Sequence, residues 1–274
     1  SVHNTGTSPV KVTGFDTNKT LTVVAGSTGA VVVDTPDGNL SINNLGTSQV
    51  TVNTTGGTVT TSGSGPVAIN DPSATVTVIN NGTGTVTVPT AGSSNTFNTS
   101  GSNDTTINNP TGSITVANAG PGTAKVTGFD DGETLTTTGA GNTLVDTPDG
   151  SLALNNTGGG TVTVTGTKNG ETVSVANTNT GPLVVNSVLG NGNSITVDAT
   201  NAQTTLTADN DGAGTISITH VGDGALLKST GSGGGTTTIT DPTGSFTVDN
   251  NGTSPVKITG FDGGKTLTVT GAST

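Results

Sequence analysis

The chain has 274 residues, a net charge of −11 and a pI near 4.1, and only 9% of its residues are charged. This balance argues against nucleic acid and anionic membranes as partners, because both attract clustered Lys and Arg, and the 7 basic residues here are scattered. Cysteine is absent, which excludes disulfides and thiolate metal sites. No apolar run approaches the roughly 18 residues of a membrane-spanning helix, so we expect no membrane span.

Short alternating segments begin near the start of the chain and continue to its end. In residues 10–13 and 20–23, Val and Leu alternate with Thr and Lys, and the same texture returns in residues 50–52, 76–78 and 162–164. Strict alternation indicates half-buried strands, and β-branched Val and Thr suit a pleated sheet. No segment has the 3.6-residue period of a helix. The sequence therefore predicts an all-β protein.

Two landmarks recur along the chain at regular distances. Pro36, Pro72, Pro110 and Pro148 are 36, 38 and 38 residues apart, and Pro242 marks a further copy. The tripeptide Gly-Phe-Asp, at residues 14–16, returns 114 residues later at 128–130 and again at 260–262. Proline-containing and proline-free units alternate, so the elementary period is about 19 residues, in pairs of 38. A fixed period of this length indicates a solenoid.

The repeat predicts a single domain, residues 1–274, folded as a parallel β-helix with rungs of about 19 residues. The alternative is an antiparallel β-sandwich or prism, with the short strands joined as hairpins. Residues 4–16 and 250–262 are nearly identical, so both ends consist of ordinary repeat. We expect the solenoid to be uncapped at both ends, which exposes strand edges.

The landmark residues are expected at the corners of the rungs. Phenylalanines plug a corner, prolines and glycines form turns, and paired asparagines fall in register at turns. Stacked Asn side chains form hydrogen-bonded ladders, although ordinary turn propensity accounts for the pairs equally well. The landmarks are Phe15, Phe129, Phe261, Pro36, Pro72, Pro110, Pro148, Pro242, Asn43, Asn44, Asn155 and Asn156.

The units at residues 161–164 (Thr-Val-Thr-Val) and 170–175 (Gly-Glu-Thr-Val-Ser-Val) resemble repeats of large secreted bacterial surface proteins. These are adhesins of the filamentous-haemagglutinin, two-partner-secretion type. The resemblance covers most of the chain and rests on composition and period. It implies a right-handed parallel β-helix, a cell-surface location and a role in adhesion or as a stalk. It brings no active-site residues, and the family's secretion-domain motifs are not visible here.

Acidic turns are the candidate metal sites, because calcium is bound by carboxylate and carbonyl oxygens. Asp before Pro or Gly is also common in turns that bind no metal. The candidate ligands for a Ca²⁺ cofactor are Asp34, Asp37, Asp130, Asp131, Asp146, Asp149, Asp209 and Asp211. His3 and His220 are isolated in the sequence, and Trp and Tyr, which stack on sugars, are absent. We therefore predict no catalytic residues and no enzyme.

The composition and repeat favour a structural role outside the cell. We predict a secreted subunit of a cell-surface or matrix fibre, such as a biofilm matrix, which assembles head-to-tail with copies of itself through open solenoid ends. Head-to-tail contacts that do not close a ring grow into filaments. The alternative is a stalk fragment of a large bacterial adhesin, displaying a host or surface ligand site that the sequence does not identify.

A further alternative is an ice-binding protein, since flat rows of outward Thr on a β-solenoid suit that role. Such rows occur at residues 85–87 and 161–163 (Thr-Val-Thr). Threonine is also the commonest polar residue of exposed strands, and Lys11, Lys125 and Lys257 interrupt the pattern.

Overall fold

The computed structural model describes residues 1–34, 38–54, 56–70, 76–130, 132–146, 152–165, 172–177, 183–187, 194–198, 205–210, 215–229 and 234–270. Strands are the regular elements of these residues, and no helix occurs among them. The strands are β1 (Val10–Thr13), β2 (Lys19–Val23), β3 (Val31–Asp34), β4 (Leu40–Asn44), β5 (Val50–Asn53), β6 (Gly57–Gly63), β7 (Val67–Asn70), β8 (Val76–Asn80), β9 (Val86–Val88), β10 (Thr96–Thr99), β11 (Thr105–Asn108), β12 (Ile114–Asn118), β13 (Ala124–Thr127), β14 (Glu133–Thr138), β15 (Thr143–Asp146), β16 (Leu152–Asn156), β17 (Val162–Thr165), β18 (Thr172–Asn177), β19 (Leu183–Ser187), β20 (Ser194–Asp198), β21 (Thr205–Asn210), β22 (Thr215–Thr219), β23 (Leu226–Ser229), β24 (Thr237–Thr240), β25 (Phe246–Asn250), β26 (Val256–Thr259) and β27 (Leu267–Thr270).

The chain divides into two compact units, residues 1–127 and 128–274. In the first unit the odd-numbered strands β1 to β13 form one sheet in sequence order, and the even-numbered strands β2 to β12 form another. The neighbours pair in parallel, as where Val31 lies opposite Val50. Each rung of about 19 residues thus adds one strand to each sheet. This confirms the parallel β-solenoid, and the antiparallel sandwich or prism is wrong, because hairpins would pair consecutive strands antiparallel.

The second unit repeats this arrangement with longer rungs. Thr143 lies opposite Val162, 19 residues on, whereas Val162 lies opposite Leu183 after 21 residues and Leu183 opposite Leu206 after 23. The extra residues fall between strands, so the parallel pairing is kept. This is the part of the chain in which the sequence spacing drifts.

The core of each unit lies between its two sheets and is built from alternate residues of the strands, as in β3, β5, β15 and β17. In the first unit, Val33 and Val52 are 0% exposed and occupy one inward row, while the intervening Thr51 faces outward. Removing a Val or Leu side chain from water contributes about 1.5–3 kcal/mol. A register slip of one residue would place threonines inside, so the alternation specifies the pairing.

A buried asparagine forms the turn at the end of several even strands. Asn44 Nδ2 donates to the carbonyls of Ser48 (3.0 Å) and Pro66 (2.9 Å), and its Oδ1 accepts from the Gly46 N–H (3.1 Å). Asn4 makes the same three kinds of bond, to Ser8, Ala30 and Gly6. The side chain closes an Asn-x-Gly turn and joins it to the next rung.

The paired asparagines face opposite sides of the sheet. Asn44 and Asn156 are buried, while Asn43 is half-buried on the outer face and Asn155 is exposed. The buried members bond to backbone and to threonine: Thr137 Oγ1 donates to Asn156 Oδ1 at 2.8 Å. In the first unit Thr99 Oγ1 donates to Asn118 Oδ1 at 2.7 Å. At these positions Thr and Asn rungs alternate, which explains why the sequence repeats at 38 rather than 19 residues.

The other landmarks have varied surroundings. Phe129 is fully buried, Phe15 is half-buried, and Phe261 is exposed and packs edge-on against Phe246 with ring centroids 5.9 Å apart. Pro110 and Pro242 are buried in turns. Pro36, Pro72 and Pro148 lie outside the described residues.

The two kinds of turn exchange places within the second unit. An Asn-x-Gly sequence follows the even strand β16 at residues 156–158, but it follows the odd strand β25 at residues 250–252. Likewise an Asp-Pro or Asp-Thr-Pro sequence follows the odd strand β15 at residues 146–148 and the even strand β24 at residues 241–242. The sheets tolerate this half-rung shift because pairing depends on inward alternation, which both β24 and β25 keep. After the shift, the Oδ1 of Asn250 is buried without a hydrogen-bond partner.

Candidate functional site

The predicted metal ligands are only partly within the described residues. Asp34 and Asp146 end strands β3 and β15, Asp130 lies in the turn before β14, and Asp209 lies in β21. Asp37, Asp131, Asp149 and Asp211 lie outside the described residues. No group of three or more His, Cys, Asp or Glu side chains capable of holding a metal occurs in the described part of the chain, and this covers His3 and His220.

Asp34 belongs to a polar ladder on the outer side of the first unit's odd sheet. Its Oδ2 is 2.7 Å from Lys11 Nζ, and its Oδ1 accepts from Asn53 Nδ2 at 3.1 Å. The ladder continues from Asn70 Nδ2 to Asn53 Oδ1 at 3.2 Å. The hydrogen bond from Lys11 holds the pKa of Asp34 below its usual value, with a smaller contribution from Asn53. Both oxygens have protein partners, and Asp34 thereby joins strand β3 to strands β1 and β5.

The same position on other odd strands is occupied by similar pairs. Thr165 Oγ1 donates to Asp146 Oδ1 at 2.8 Å in the second unit. Thr127 Oγ1 donates to Asn108 Oδ1 at 2.8 Å in the first. At these strand ends an acid or amide on one rung accepts from a threonine on the next. We conclude that Asp146, like Asp34, joins one rung to the next.

A carboxyl group that the sequence reasoning missed is Glu133, the first residue of β14. Its side chain points inward, is 8% exposed, and lies opposite Leu152 on the next rung. Burial raises the pKa of Glu133, repulsion from Asp130 raises it further, and a hydrogen bond from the Asp130 backbone opposes both effects. The Oε2 atom is buried without a hydrogen-bond partner. Burying an ionised carboxylate without a hydrogen-bond or ionic partner lowers the stability of the folded state.

The edge strands expose residues that are core residues elsewhere. Val10 of β1 is 36% exposed, although Val31, opposite it in the same inward row, is 1% exposed. In the second unit Val269 of β27 is 64% exposed and its partner Val248 is 2% exposed. Among the described residues no further strand pairs with β1 or β27 on their open sides. Edge strands of this kind present unpaired N–H and C=O groups.

A column of threonines lies on the outer face of the first unit's even sheet. Thr58, Thr77, Thr96 and Thr115 are opposite one another on β6, β8, β10 and β12. The outward residues of β4 to β12 in this sheet carry no charge, whereas Lys19 of β2 is exposed at the edge of the sheet. Lys11 and Lys125 lie on the odd sheet instead, and Lys257 lies on β26 of the second unit. Lys11, Lys125 and Lys257 therefore place no charge on the outer face of the first unit's even sheet.

A shallow groove of about 290 Å³ adjoins this face, lined by Asn18, Asn39, Leu40, Ser41, Thr58 and Thr60. Asn39 Nδ2 donates to Asn18 Oδ1 at 3.2 Å, and Asn39 Oδ1 accepts from the Thr58 N–H at 3.0 Å. These bonds hold the lining in place. The groove is neutral and polar, without an aromatic side chain.

Within the described residues, no helix has the length and apolar character to cross a membrane. No protein-family model matches the chain, and neither the curated proteins nor the solved structures contain a significant match to it.

Proposed function

We propose that the protein is a secreted structural subunit of a cell-surface or matrix fibre, which associates end to end through its edge strands. The observation that supports this is the exposure of inward-row valines at β1 and β27. A strand added by a second copy would pair with the open backbone groups and cover these valines, as successive rungs do inside each unit. The resemblance of the repeats to adhesin-type surface proteins supports the location outside the cell.

The physical driving force for association is the same as for stacking rungs. Covering a Val side chain contributes about 1.5–3 kcal/mol, and each paired backbone group avoids an unmade hydrogen bond. A contact between β1 of one copy and β27 of another is heterologous, and such contacts grow into filaments unless they close a ring.

The test is the association state of three variants at high concentration, measured by light scattering after size exclusion and by negative-stain electron microscopy. Val10→Lys and Val269→Lys each place a charge on an edge and should abolish filaments. Leu45→Lys, at an exposed turn residue (42% exposed) outside β1 and β27, should leave them unchanged. A monodisperse wild-type monomer would contradict the fibre and leave the role of an adhesin stalk.

A second candidate function, ice binding, is favoured by the threonine column of the first unit. Threonines on successive parallel strands repeat about every 4.8 Å, which makes a regular array of hydroxyl and methyl groups. The uncharged face keeps this array free of strongly hydrated groups.

Thermal hysteresis of the purified chain tests this candidate. Thr96→Lys, in the middle of the column, should remove any hysteresis. Thr106→Lys, an outward residue of the odd strand β11, is the matched control and should not. Wild-type protein without hysteresis contradicts the candidate.

A further inference from the structure

Three corners of the chain share one six-residue pattern but differ in the charge of its last residue. The corners are residues 14–19, 128–133 and 260–265, and each begins Gly-Phe-Asp. The last residue is Lys19 in the first corner, Lys265 in the third, and Glu133 in the second. Each sister corner therefore ends in a lysine, whereas the second corner contains two further acids, Asp131 and Glu133. Lys265 lies 3.8 Å from Asp223, which is outside its own corner.

The second corner also has the most buried of these three side chains. Glu133 is 8% exposed, while Lys19 and Lys265 are exposed. The Asp130 backbone N–H donates to the Glu133 carboxyl group, but Oε2 is buried and has no hydrogen-bond partner. Fully buried Phe129 lies in the same turn. No basic side chain pairs with Glu133 or Asp130 in the described part of the chain.

We propose that the corner at residues 128–133 binds a calcium ion through the carboxylates of Glu133 and Asp130. The ion supplies a positive charge that this corner lacks, and it provides a partner for the buried Oε2. Calcium accepts six to eight oxygen ligands in variable geometry, so two carboxylates can be completed by water and turn carbonyls on the exposed Asp130 side. This site is independent of end-to-end association.

Calcium uptake by the full chain tests the proposal directly. Equilibrium dialysis with radioactive calcium, at near-physiological salt, gives the number of ions bound per chain. Glu133→Gln and Asp130→Asn should each bind one ion fewer than wild type. Asp34→Asn is the matched control, because both oxygens of Asp34 already have protein partners, and it should bind as many ions as wild type.

A thermal melt followed by far-UV circular dichroism provides the second readout. Calcium should raise the wild-type Tm progressively with its concentration, because a ligand that binds only the folded state stabilises it. The rise should be smaller in Glu133→Gln. Glu133→Lys, which copies the sister corners, should also lose the calcium-dependent rise.

Asp130 is exposed, so Asp130→Asn remains informative if Glu133→Gln does not fold. Wild-type protein that takes up no calcium overturns the proposal. So does equal uptake by wild type and every folded corner variant, or a loss in Asp34→Asn as large as in the corner variants.

Discussion

At the scale of single residues, the turns depend on asparagine because its side chain both donates and accepts. A buried amide can satisfy two carbonyls with its NH₂ group and one N–H with its oxygen, all within a short reach. Asn44 does this for Ser48, Pro66 and Gly46. Aspartate has the same shape but, when ionised, only accepts. This explains why the inward turn position holds Asn, whereas positions on the outer face hold either Asp or Asn.

Asn44→Ala should lower the free energy of unfolding by about 1–3 kcal/mol, because it leaves buried backbone groups without partners. Urea unfolding, followed by circular dichroism, measures the change. Asn43→Ala is the control, since Asn43 faces outward and is half-buried. Equal effects of the two substitutions would mean that the buried turn bonds contribute nothing specific.

The Lys11–Asp34 pair predicts a dependence of stability on pH. The pKa of Asp34 is lowered in the folded state, so the pair contributes stability above the ordinary pKa of 3.8. That contribution is lost as the pH falls from 3.8 through the lower folded pKa. Wild type should therefore lose stability in this acid range more steeply than Asp34→Asn. Urea unfolding at a series of pH values checks this, and parallel curves would contradict it.

Glu133 predicts a pH dependence of stability with the opposite sign to that of Asp34. Its raised pKa means that the folded state disfavours the ionised carboxylate, so this residue destabilises the fold at neutral pH in the absence of a cation. Glu133→Leu, opposite Leu152, should raise the free energy of unfolding in chelator by about 1–3 kcal/mol. Urea unfolding at pH 7 provides the measurement. A destabilised variant would show that the carboxyl group has a partner in solution.

At the scale of the elements, each strand is specified by its alternation and each turn by its own chemistry. The exchange of turn types between β16 and β25 shows that the two are separable. The even strand β26 (Val-Lys-Ile-Thr) follows an Asn-x-Gly turn, which at β16 precedes an odd strand. It still pairs with β24 through Ile239 opposite Ile258. Inward apolar residues therefore decide the pairing, and turns adapt to it.

Substitutions on the two faces of β5 test this rule. Val52→Thr places a hydroxyl in the core and should cost about 1–3 kcal/mol. Thr51→Val, one residue away on the outer face, should change stability by no more than about 0.5 kcal/mol. Both are measured by chemical denaturation. A similar cost at both positions would indicate that the outer face is also packed.

At the scale of the whole molecule, the net charge of −11 opposes association of copies. Salt screens this repulsion, with a Debye length of about 30 Å at 0.01 M and about 8 Å at 0.15 M ionic strength. The proposed edge contacts are apolar and backbone-mediated, so screening does not weaken them. End-to-end association should therefore increase as salt is raised over this range, as measured by light scattering. A decrease would indicate contacts between opposite charges.

The all-β class, the parallel solenoid and the rung length could be predicted from the sequence, because they follow from local alternation and a fixed period. The alternation alone predicts that Val31 and Val52 face inward and that Thr51 faces outward. The candidate surfaces were only partly predictable: the threonine rows predicted at residues 85–87 and 161–163 belong to the odd strands β9 and β17, whereas the threonine column lies on the even strands β6 to β12.

Other features depend on which residues the register brings together. Asn43 and Asn44 are the same type of residue, and the alternation of side chains along strand β4 decides which of them enters the core. Asp34 is satisfied because Lys11 and Asn53 lie on adjacent rungs about 20 residues away. Glu133 is buried because its place in β14 faces inward, although its chemistry favours the surface. The sequence alone thus determined the period and the alternation, and the tertiary structure decided the partners of polar side chains such as Asp34 and Thr137, since those partners come from other rungs.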